Sequence, residues 1–142
     1  MPAARPRASA AERAIRASGE RLTAPRAAVL ETLLAARQAL THHEIEQALA
    51  PRLAVDRVTV YRVLDWLVAL GLAHRIAGED RTWRFLASHG EGHAAHAHFM
   101  CSRCGRTVCL DEVAVPPAVK VPRGFAPSHV ELNVKGVCAA CR

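Results

Sequence analysis

Four cysteines in the C-terminal part of the sequence have the spacing of a closed metal site. Cys101 and Cys104 form one C-x-x-C pair, and Cys138 and Cys141 form a second. Thiolates are soft ligands, and two such pairs fill all four corners of a tetrahedron and leave no position for water. The spacing therefore predicts a structural zinc ion whose binding energy stabilises the fold. Two redox-active thiol pairs are the alternative use of the same residues.

A second group of possible ligands does not overlap with the first. His96 and His98 are two residues apart, so both imidazoles would lie on one face of a strand. Cys109 is not needed by the four-cysteine site, and His74 lies on a predicted hairpin in the first half of the chain. These four residues offer three nitrogens and one sulfur, a tetrahedral set that suits zinc. We therefore predict a regulatory zinc site that joins the two halves.

Other uses of these residue types stay open. Cys109 could be a small buried apolar residue instead of a ligand. His89 and His93 lie on a predicted linker, and either could complete the second site in its place. His42 and His43 are expected to be exposed in the first turn of a helix.

Composition favours two small modules. All five cysteines fall in residues 87–142, a segment so short that a metal ion is a physically expected source of stability. The formal net charge of +6 suits an anionic partner such as DNA, although solubility alone explains such a charge equally well. The predicted division is a disordered tail at 1–8, a DNA-binding domain at 9–86, a hinge linker at 87–95 and a zinc-binding domain at 96–142.

The first module reads as four helices followed by a hairpin. Three helix starts are predicted from side-chain capping signals at Ser9, Thr23 and Thr41. A fourth helix runs from about Asp56 to Leu70, and strands at 72–76 and 82–86 flank a turn. This order predicts a winged helix-turn-helix. The second module should contain three strands, at 98–101, 107–110 and 129–134, so the predicted class is α+β.

The N-terminal end of the fourth helix carries residues that could contact DNA. Thr59, Tyr61 and Arg62 lie where a recognition helix meets base edges. Arg62 suits guanine or phosphate, and Tyr61 suits a thymine methyl group or phosphate. Arg26, near the start of the second helix, is a candidate phosphate contact. An ordinary solvated helix face is the competing interpretation.

Several functional classes lack support in the sequence. No stretch is long and apolar enough to span a bilayer, and residues 1–7 lack the apolar core of a signal peptide. We therefore expect a cytoplasmic protein, in which C-x-x-C pairs bind metal more often than they form disulfides. No nucleophile–base arrangement or phosphate-binding loop indicates an enzyme or a small-molecule substrate.

Three segments resemble the ferric uptake regulator (Fur) family, and they occur in the family's order. They are Arg21-Leu22-Thr23-Ala24-Pro25-Arg26, Thr59-Val60-Tyr61-Arg62-Val63-Leu64 and His96-Ala97-His98-Phe99-Met100-Cys101-Ser102-Arg103-Cys104-Gly105. The resemblance covers about residues 9–142. It implies a homodimer that usually represses genes when its metal is bound. Each chain would have an N-terminal winged helix and a small C-terminal α/β dimerisation module.

Within the family, the chain is most similar to the zinc uptake regulator (Zur) branch, through Thr59–Leu67 and Gly71-Leu72-Ala73-His74. The resemblance implies a regulatory-site ligand at His74 and the family's His-x-His ligands at His96 and His98. It also implies DNA contacts by Arg62 and its neighbour Tyr61.

Three positions depart from the patterns of the family. Iron-sensing members usually have a His where this chain has Ala39, and many zinc sensors have a Cys ligand near the position of Leu86. Some members have a Glu at the position of Cys109, and we infer that Cys109 replaces the missing ligand. A further family site uses residues interleaved with the His-x-His motif, where Ala95 and Ala97 cannot serve.

The sequence therefore predicts a zinc-responsive repressor that binds double-stranded operator DNA as a homodimer. Each monomer would hold one structural and one regulatory zinc ion. A Fur-family regulator that responds to iron or peroxide is the nearest alternative. A thiol redox switch or thiol enzyme is the alternative from another functional class.

Overall fold

The computed structural model describes residues 7–88, 95–110, 113, 116, 119–128 and 130–142, with only the backbone given for 95 and 96. The helices are α1 (Ala10–Ala17), α2 (Ala24–Ala35), α3 (His42–Leu49) and α4 (Arg57–Ala69). The strands are β1 (Leu40–Thr41), β2 (Ala73–Ala77), β3 (Trp83–Ala87), β4 (Ala95–Cys101), β5 (Thr107–Cys109) and β6 (Val130–Gly136). A short 3-10 helix follows at Ala139–Cys141. Most of the predicted tail and linker, including His89 and His93, lies outside the described residues.

Each α-helix begins at a side chain that accepts a hydrogen bond from the first turn. The capping residues are Ser9, Thr23, Thr41 and Asp56. At α3 the contact is reciprocal, because Thr41 Oγ1 accepts from the Glu44 N–H at 3.2 Å and Glu44 Oε2 accepts from the Thr41 N–H at 2.7 Å. These bonds satisfy backbone donors that have no partner inside the helix. The caps therefore determine where the helices of the first module start.

The four helices and a small sheet enclose the larger apolar core. Helix α4 buries Val60, Val63, Leu64 and Leu67, which are the residues that its periodicity predicts. The sheet has the order β1-β3-β2, with antiparallel pairing throughout. Strand β1 was not predicted, because two residues are too few to show an alternating pattern. The α+β class is confirmed.

The second sheet has the order β5-β4-β6, with β4 in the centre. Strand β5 pairs antiparallel with β4, so that Cys109 lies opposite His98. Strand β6 pairs with β4 in parallel over seven residues, from Ala95↔Val130 to Cys101↔Gly136. The parallel direction brings the C-terminal end of β6 beside the C-terminal end of β4. Because the C-x-x-C pairs follow those two ends, the strand pairing brings them together.

A second, smaller core joins the two sheets. Its buried residues are Ala39, Ile76, Leu86 and Met100, and Cys109 packs against them. The Ala39 N–H also donates to the Thr107 carbonyl oxygen at 2.7 Å. On the same side of the molecule, Lys135 forms an ion pair with Glu79 at the turn between β2 and β3. The two modules are therefore in direct contact at one edge.

Arg84 in β3 extends this contact to the turn that carries the first cysteine pair. Its buried guanidinium donates to both carboxylate oxygens of Asp80, at 3.0 and 2.9 Å. These bonds lower the pKa of Asp80, so their contribution to stability holds above its ordinary pKa and is lost as pH falls through the lowered value. The guanidinium lies so close to Gly105 that a Cβ there would come within 2.6 Å of Nη2. Gly105 also has a φ of +74°, so alanine there would have a strained backbone conformation and would displace the guanidinium that Asp80 holds.

We expect Gly105→Ala to lower the free energy of unfolding by about 2 kcal/mol more than Gly71→Ala. Both glycines have a positive φ, +74° and +73° respectively, so alanine brings similar backbone strain to both. Only Gly105 has a side chain in the way, since nothing lies within 4 Å of a Cβ at Gly71. Urea denaturation of the two variants measures the difference. Equal losses would mean that Arg84 does not pack against the turn in solution.

Candidate functional site

The structure brings the four paired cysteines together at the end of the second sheet. Their sulfur atoms lie within 4.8 Å of one another, and Cys104 Sγ is 3.7 Å from Cys138 Sγ. Tetrahedral zinc with Zn–S bonds of about 2.3 Å needs sulfurs about 3.8 Å apart, so the spacing fits such an ion. The Gly105 N–H closes the first turn on the Cys101 carbonyl oxygen at 2.9 Å. This arrangement could hold a metal ion.

The electrostatics of the cluster also favour a cation. Backbone N–H groups of Cys138 and Cys104 stabilise the Cys101 thiolate and lower its pKa to about 6. The Cys138 N–H donates to Cys101 Sγ at 3.3 Å. In contrast, hydrogen bonding to Cys138 and Cys104 raises the pKa of Cys141 to about 12. Four thiols this close cannot all ionise without a positive charge between them, whereas a bound divalent ion requires all four to be deprotonated.

A second group of possible ligands lies between the two sheets. The ligand atoms of His74, His98 and Cys109 all lie within 4.8 Å of one another, and the Nε2 atoms of the two histidines are 3.0 Å apart. His98 and Cys109 are cross-strand neighbours on β4 and β5, whereas His74 comes from β2 in the other sheet. His98 is 2% exposed, and the other two are half-buried. An ion held here would be bound by both modules.

His96, the fourth predicted member of this group, is described only by its backbone. It lies on β4 opposite Glu131 of β6, two residues before His98. His89 and His93, the predicted substitutes for Cys109, lie in the stretch between Ser88 and Ala95 that the structure does not describe. The structure therefore brings together three of the four predicted ligands.

Two positions where relatives are expected to carry ligands are part of the smaller core. Ala39 is buried, and its side chain packs with Leu86 and Met100. Leu86 lies directly opposite His74 in the β2–β3 pairing. Apolar side chains at these positions give the group between the sheets an apolar wall. Since apolar groups cannot bind an ion, any ligands of this chain must come from elsewhere.

The residues predicted to contact DNA lie near the start of α4. Tyr61 is 46% exposed, Arg62 is also exposed, and Thr59 is half-buried with its N–H bonded to Asp56 Oδ1 at 2.9 Å. The first two side chains are therefore available to a large partner. The Thr59 backbone contributes to the helix cap.

Arg26 has a structural contact that the sequence did not indicate. Its guanidinium carbon lies 3.9 Å from the centre of the Trp66 ring, and its Nη1 donates to the Arg21 carbonyl oxygen at 2.6 Å. The cation–π contact joins α2 to α4. A phosphate contact by Arg26 stays a prediction, and any such contact would use a side chain that packing already orients.

The expectation that His42 is exposed was wrong. The His42 side chain is buried, and its ring stacks on Tyr61 with centroids 3.6 Å apart and an angle of 24° between the planes. His43, the next residue, is exposed as expected. The stack depends on how α3 crosses α4. This crossing cannot be predicted from the residues around Thr41 alone. A helix-turn-helix alignment that placed the first turns of both helices together could have found it.

Comparison with known proteins identifies the family. The profile described as the Ferric uptake regulator family matches residues 17–135. The chain belongs to the ferric uptake regulator family. This confirms the resemblance found in the sequence and makes the protein a transcriptional regulator, not an enzyme.

The relatives include regulators with different names. The ferric uptake regulation protein of Legionella pneumophila is 32% identical over 133 residues, which are 88% of this chain and 93% of that protein. The peroxide-responsive repressor PerR of Staphylococcus epidermidis is 28% identical, and the match covers 90% of this chain and 85% of that protein. A solved zinc uptake regulator, complexed with zinc and DNA, shares the fold with a TM-score of 0.67 and 23% identity over 92% and 89% of the two chains. Family membership alone therefore does not identify the metal.

In the part of the chain that the structure describes, no helix is both long enough and apolar enough to cross a membrane.

Proposed function

We propose that this protein is a zinc-responsive transcriptional repressor of the cytoplasm that binds double-stranded operator DNA as a homodimer. The observation that carries the proposal is the position of His74. It belongs to the hairpin of the winged-helix module, yet its Nε2 is 3.0 Å from the Nε2 of His98 in the second sheet. A metal ion bound by both residues would couple the angle between the modules to the metal concentration.

In this proposal, metal binding acts on DNA binding through the angle between the modules. The proposed division has a hinge linker at 87–95 between a DNA-binding domain at 9–86 and a dimerisation domain at 96–142. His74 on one side and His96, His98 and Cys109 on the other would hold the regulatory ion and so join the two modules. This arrangement would place the two α4 helices of a dimer in successive major grooves, about 34 Å apart. The metal shifts the population only by its tighter binding to this arrangement.

The donor atoms of this group favour zinc over iron. Among the described residues, the group contains two imidazoles and one thiol and no carboxylate. Nitrogen and sulfur ligands suit zinc, whereas iron sensing usually adds oxygen ligands. The zinc and DNA bound by the solved zinc uptake regulator that shares this fold support the same assignment. Because imidazoles and thiols must lose protons to bind, acid should weaken the response.

The four-cysteine cluster has a different role in this proposal. Cys101, Cys104, Cys138 and Cys141 hold a structural zinc ion with no open coordination position, so that its binding energy contributes to folding. One structural and one regulatory ion are bound per monomer.

The apolar side chains of β6 support a dimer, because Leu132 and Val134 are 37% and 40% exposed in the single chain. A partner subunit would cover such residues.

The regulatory site is tested by the effect of zinc on operator affinity. We expect the operator affinity of the wild type to rise with free zinc. In His74→Ala we expect this zinc-dependent rise to be smaller by a factor of roughly ten or more. Fluorescence anisotropy in zinc-buffered solutions measures both. His43→Ala, which removes an exposed histidine of the same module, should respond like the wild type. Full zinc dependence in His74→Ala would contradict the bridging site.

Metal stoichiometry tests the role of Cys109. The wild type should bind two zinc ions per monomer, and Cys109→Ser should retain only the structural ion after dialysis against a weak chelator. Mass spectrometry of the native protein and elemental analysis measure the stoichiometry. One ion per monomer in both the wild type and Cys109→Ser would contradict the regulatory site.

The structural site is tested by Cys138→Ser. We expect this variant to lose the tightly held ion and to lower the unfolding midpoint by about 10 °C or more, because the ion no longer connects the ends of β4 and β6. Cys109→Ser, which should lose only the regulatory ion, shows how much of the change in midpoint comes from losing an ion outside the cluster. Normal metal content and an unchanged midpoint in Cys138→Ser would exclude a structural zinc ion here.

Iron or peroxide sensing is the second candidate, and the names of the two curated relatives favour it. Anaerobic titration of operator binding with Fe²⁺, Mn²⁺ and Zn²⁺ separates the candidates. Because Zn²⁺ binds most such sites more tightly than Fe²⁺ or Mn²⁺, the sensed metal is the one whose titration midpoint falls within its own free concentration in the cell. Loss of DNA binding on addition of peroxide to the Fe²⁺-loaded protein alone would favour a peroxide sensor.

Thiol titration with and without a chelator tests the redox alternative, since metal-bound thiolates react only after the ion is removed.

A further inference from the structure

His42 is a buried histidine that the proposed metal chemistry does not use. It is the first residue of α3, and its side chain is only 9% exposed. One face of its ring lies against the Tyr61 ring, with the two planes nearly parallel. Tyr61 is in the second turn of α4 and remains 46% exposed. The stack therefore has one buried ring and one ring that faces solvent.

The polar atoms of His42 contribute little to this contact. Neither ring nitrogen makes a hydrogen bond of normal geometry with a described residue, and Nδ1 is 3.6 Å from the nearest Glu46 carboxylate oxygen. Burial lowers the pKa of His42, the Glu46 carboxylate opposes this in part, and the Arg57 charge adds to the lowering. The ring is therefore neutral near pH 7. It acts as a flat surface more than as a donor, an acceptor or a charge.

We propose that His42 is a positioning residue that orients the Tyr61 ring for its contact with an operator base. The inference rests on the proposed function, in which the start of α4 meets base edges. An exposed tyrosine in the second turn of a helix would otherwise choose among rotamers, and fixing it on binding DNA would cost entropy. The stack fixes the ring before DNA arrives. Helix α3 thereby contributes to base recognition without contacting a base.

The stack acts on one side chain of α4, the ring of Tyr61. The ring centroids are only 3.6 Å apart and the planes differ by 24°, so the two rings lie almost face to face and the His42 ring limits both the position and the tilt of the exposed ring. Arg62, the next residue on α4, has no such contact with His42. Loss of the stack should therefore alter recognition at the base that Tyr61 contacts and leave contacts made by Arg62 in place.

A double-mutant cycle on operator affinity tests the proposal. The probe is a duplex that the zinc-loaded wild type selects from a random-sequence pool. His42→Ala should weaken binding roughly two- to tenfold in the wild-type background. The same change should have no further effect in Tyr61→Ala, because the ring that it orients is absent. His43→Ala, the matched control, should bind like the wild type in both backgrounds.

Aromatic replacement separates ring stacking from other roles of His42. His42→Phe keeps a flat ring and removes the two nitrogens, so it should restore wild-type affinity and base preference. His42→Leu keeps an apolar side chain without a flat ring, so it should resemble His42→Ala. Zinc content and the unfolding midpoint of each variant are measured in parallel, and affinities are compared below the lowest midpoint.

The outcomes distinguish this inference from the proposed function. Equal losses for His42→Ala with and without Tyr61 would overturn the positioning role, and so would failure of His42→Phe to bind like the wild type. In both cases zinc-dependent binding by the wild type would leave the proposed function intact. If the wild type selects no duplex at any zinc concentration, the proposed function fails and the positioning role fails with it.

Discussion

Strand β4 contributes to both groups of possible metal ligands, and its hydrogen-bond register places the residues of each. His98 faces Cys109 across the β4–β5 pairing, and Cys101 closes the same strand three residues later. On the other side, the parallel pairing with β6 aligns Cys101 with Gly136 and brings the second cysteine pair to the first. A shift of one residue in either pairing would turn ligands to the wrong face of the sheet. Both clusters therefore depend on one set of backbone hydrogen bonds.

The contact between the modules combines apolar side chains, charged side chains and possible metal ligands at one edge. Ala39, Leu86 and Met100 exclude water from part of it, while Arg84, which is bonded to Asp80, packs against Gly105 in the cysteine turn. The group of His74, His98 and Cys109 lies at the same edge. An ion bound there would add to a contact that the protein already makes. In our proposal the apolar contact sets how the two modules are arranged without the regulatory ion, and bound zinc makes that arrangement more stable.

Features that depend on neighbours in the sequence could be predicted, and features that depend on packing could not. Capping residues such as Thr41 act within one helical turn, so the helix starts were apparent from the sequence. Cys101 and Cys138 could be paired because the chemistry of zinc restricts what two C-x-x-C motifs can do. The burial of His42 and the contact of Arg26 with Trp66 depend on helix crossings that no local pattern encodes. The sequence predicted a strand at 129–134, close to β6, but it did not predict the parallel direction of that strand.

The parallel pairing of β4 and β6 also sets the order in which the protein can assemble during synthesis. Cys101 and Cys104 leave the ribosome together and can share an ion at once, with water or small thiols as the other ligands. The second pair arrives more than thirty residues later, and the long connection delays its closure. Until β6 docks, the centre of the second sheet has an open edge that can pair with other chains. In our proposal, metal supply during translation would therefore affect how many chains reach the folded state, independently of how many later bind an operator.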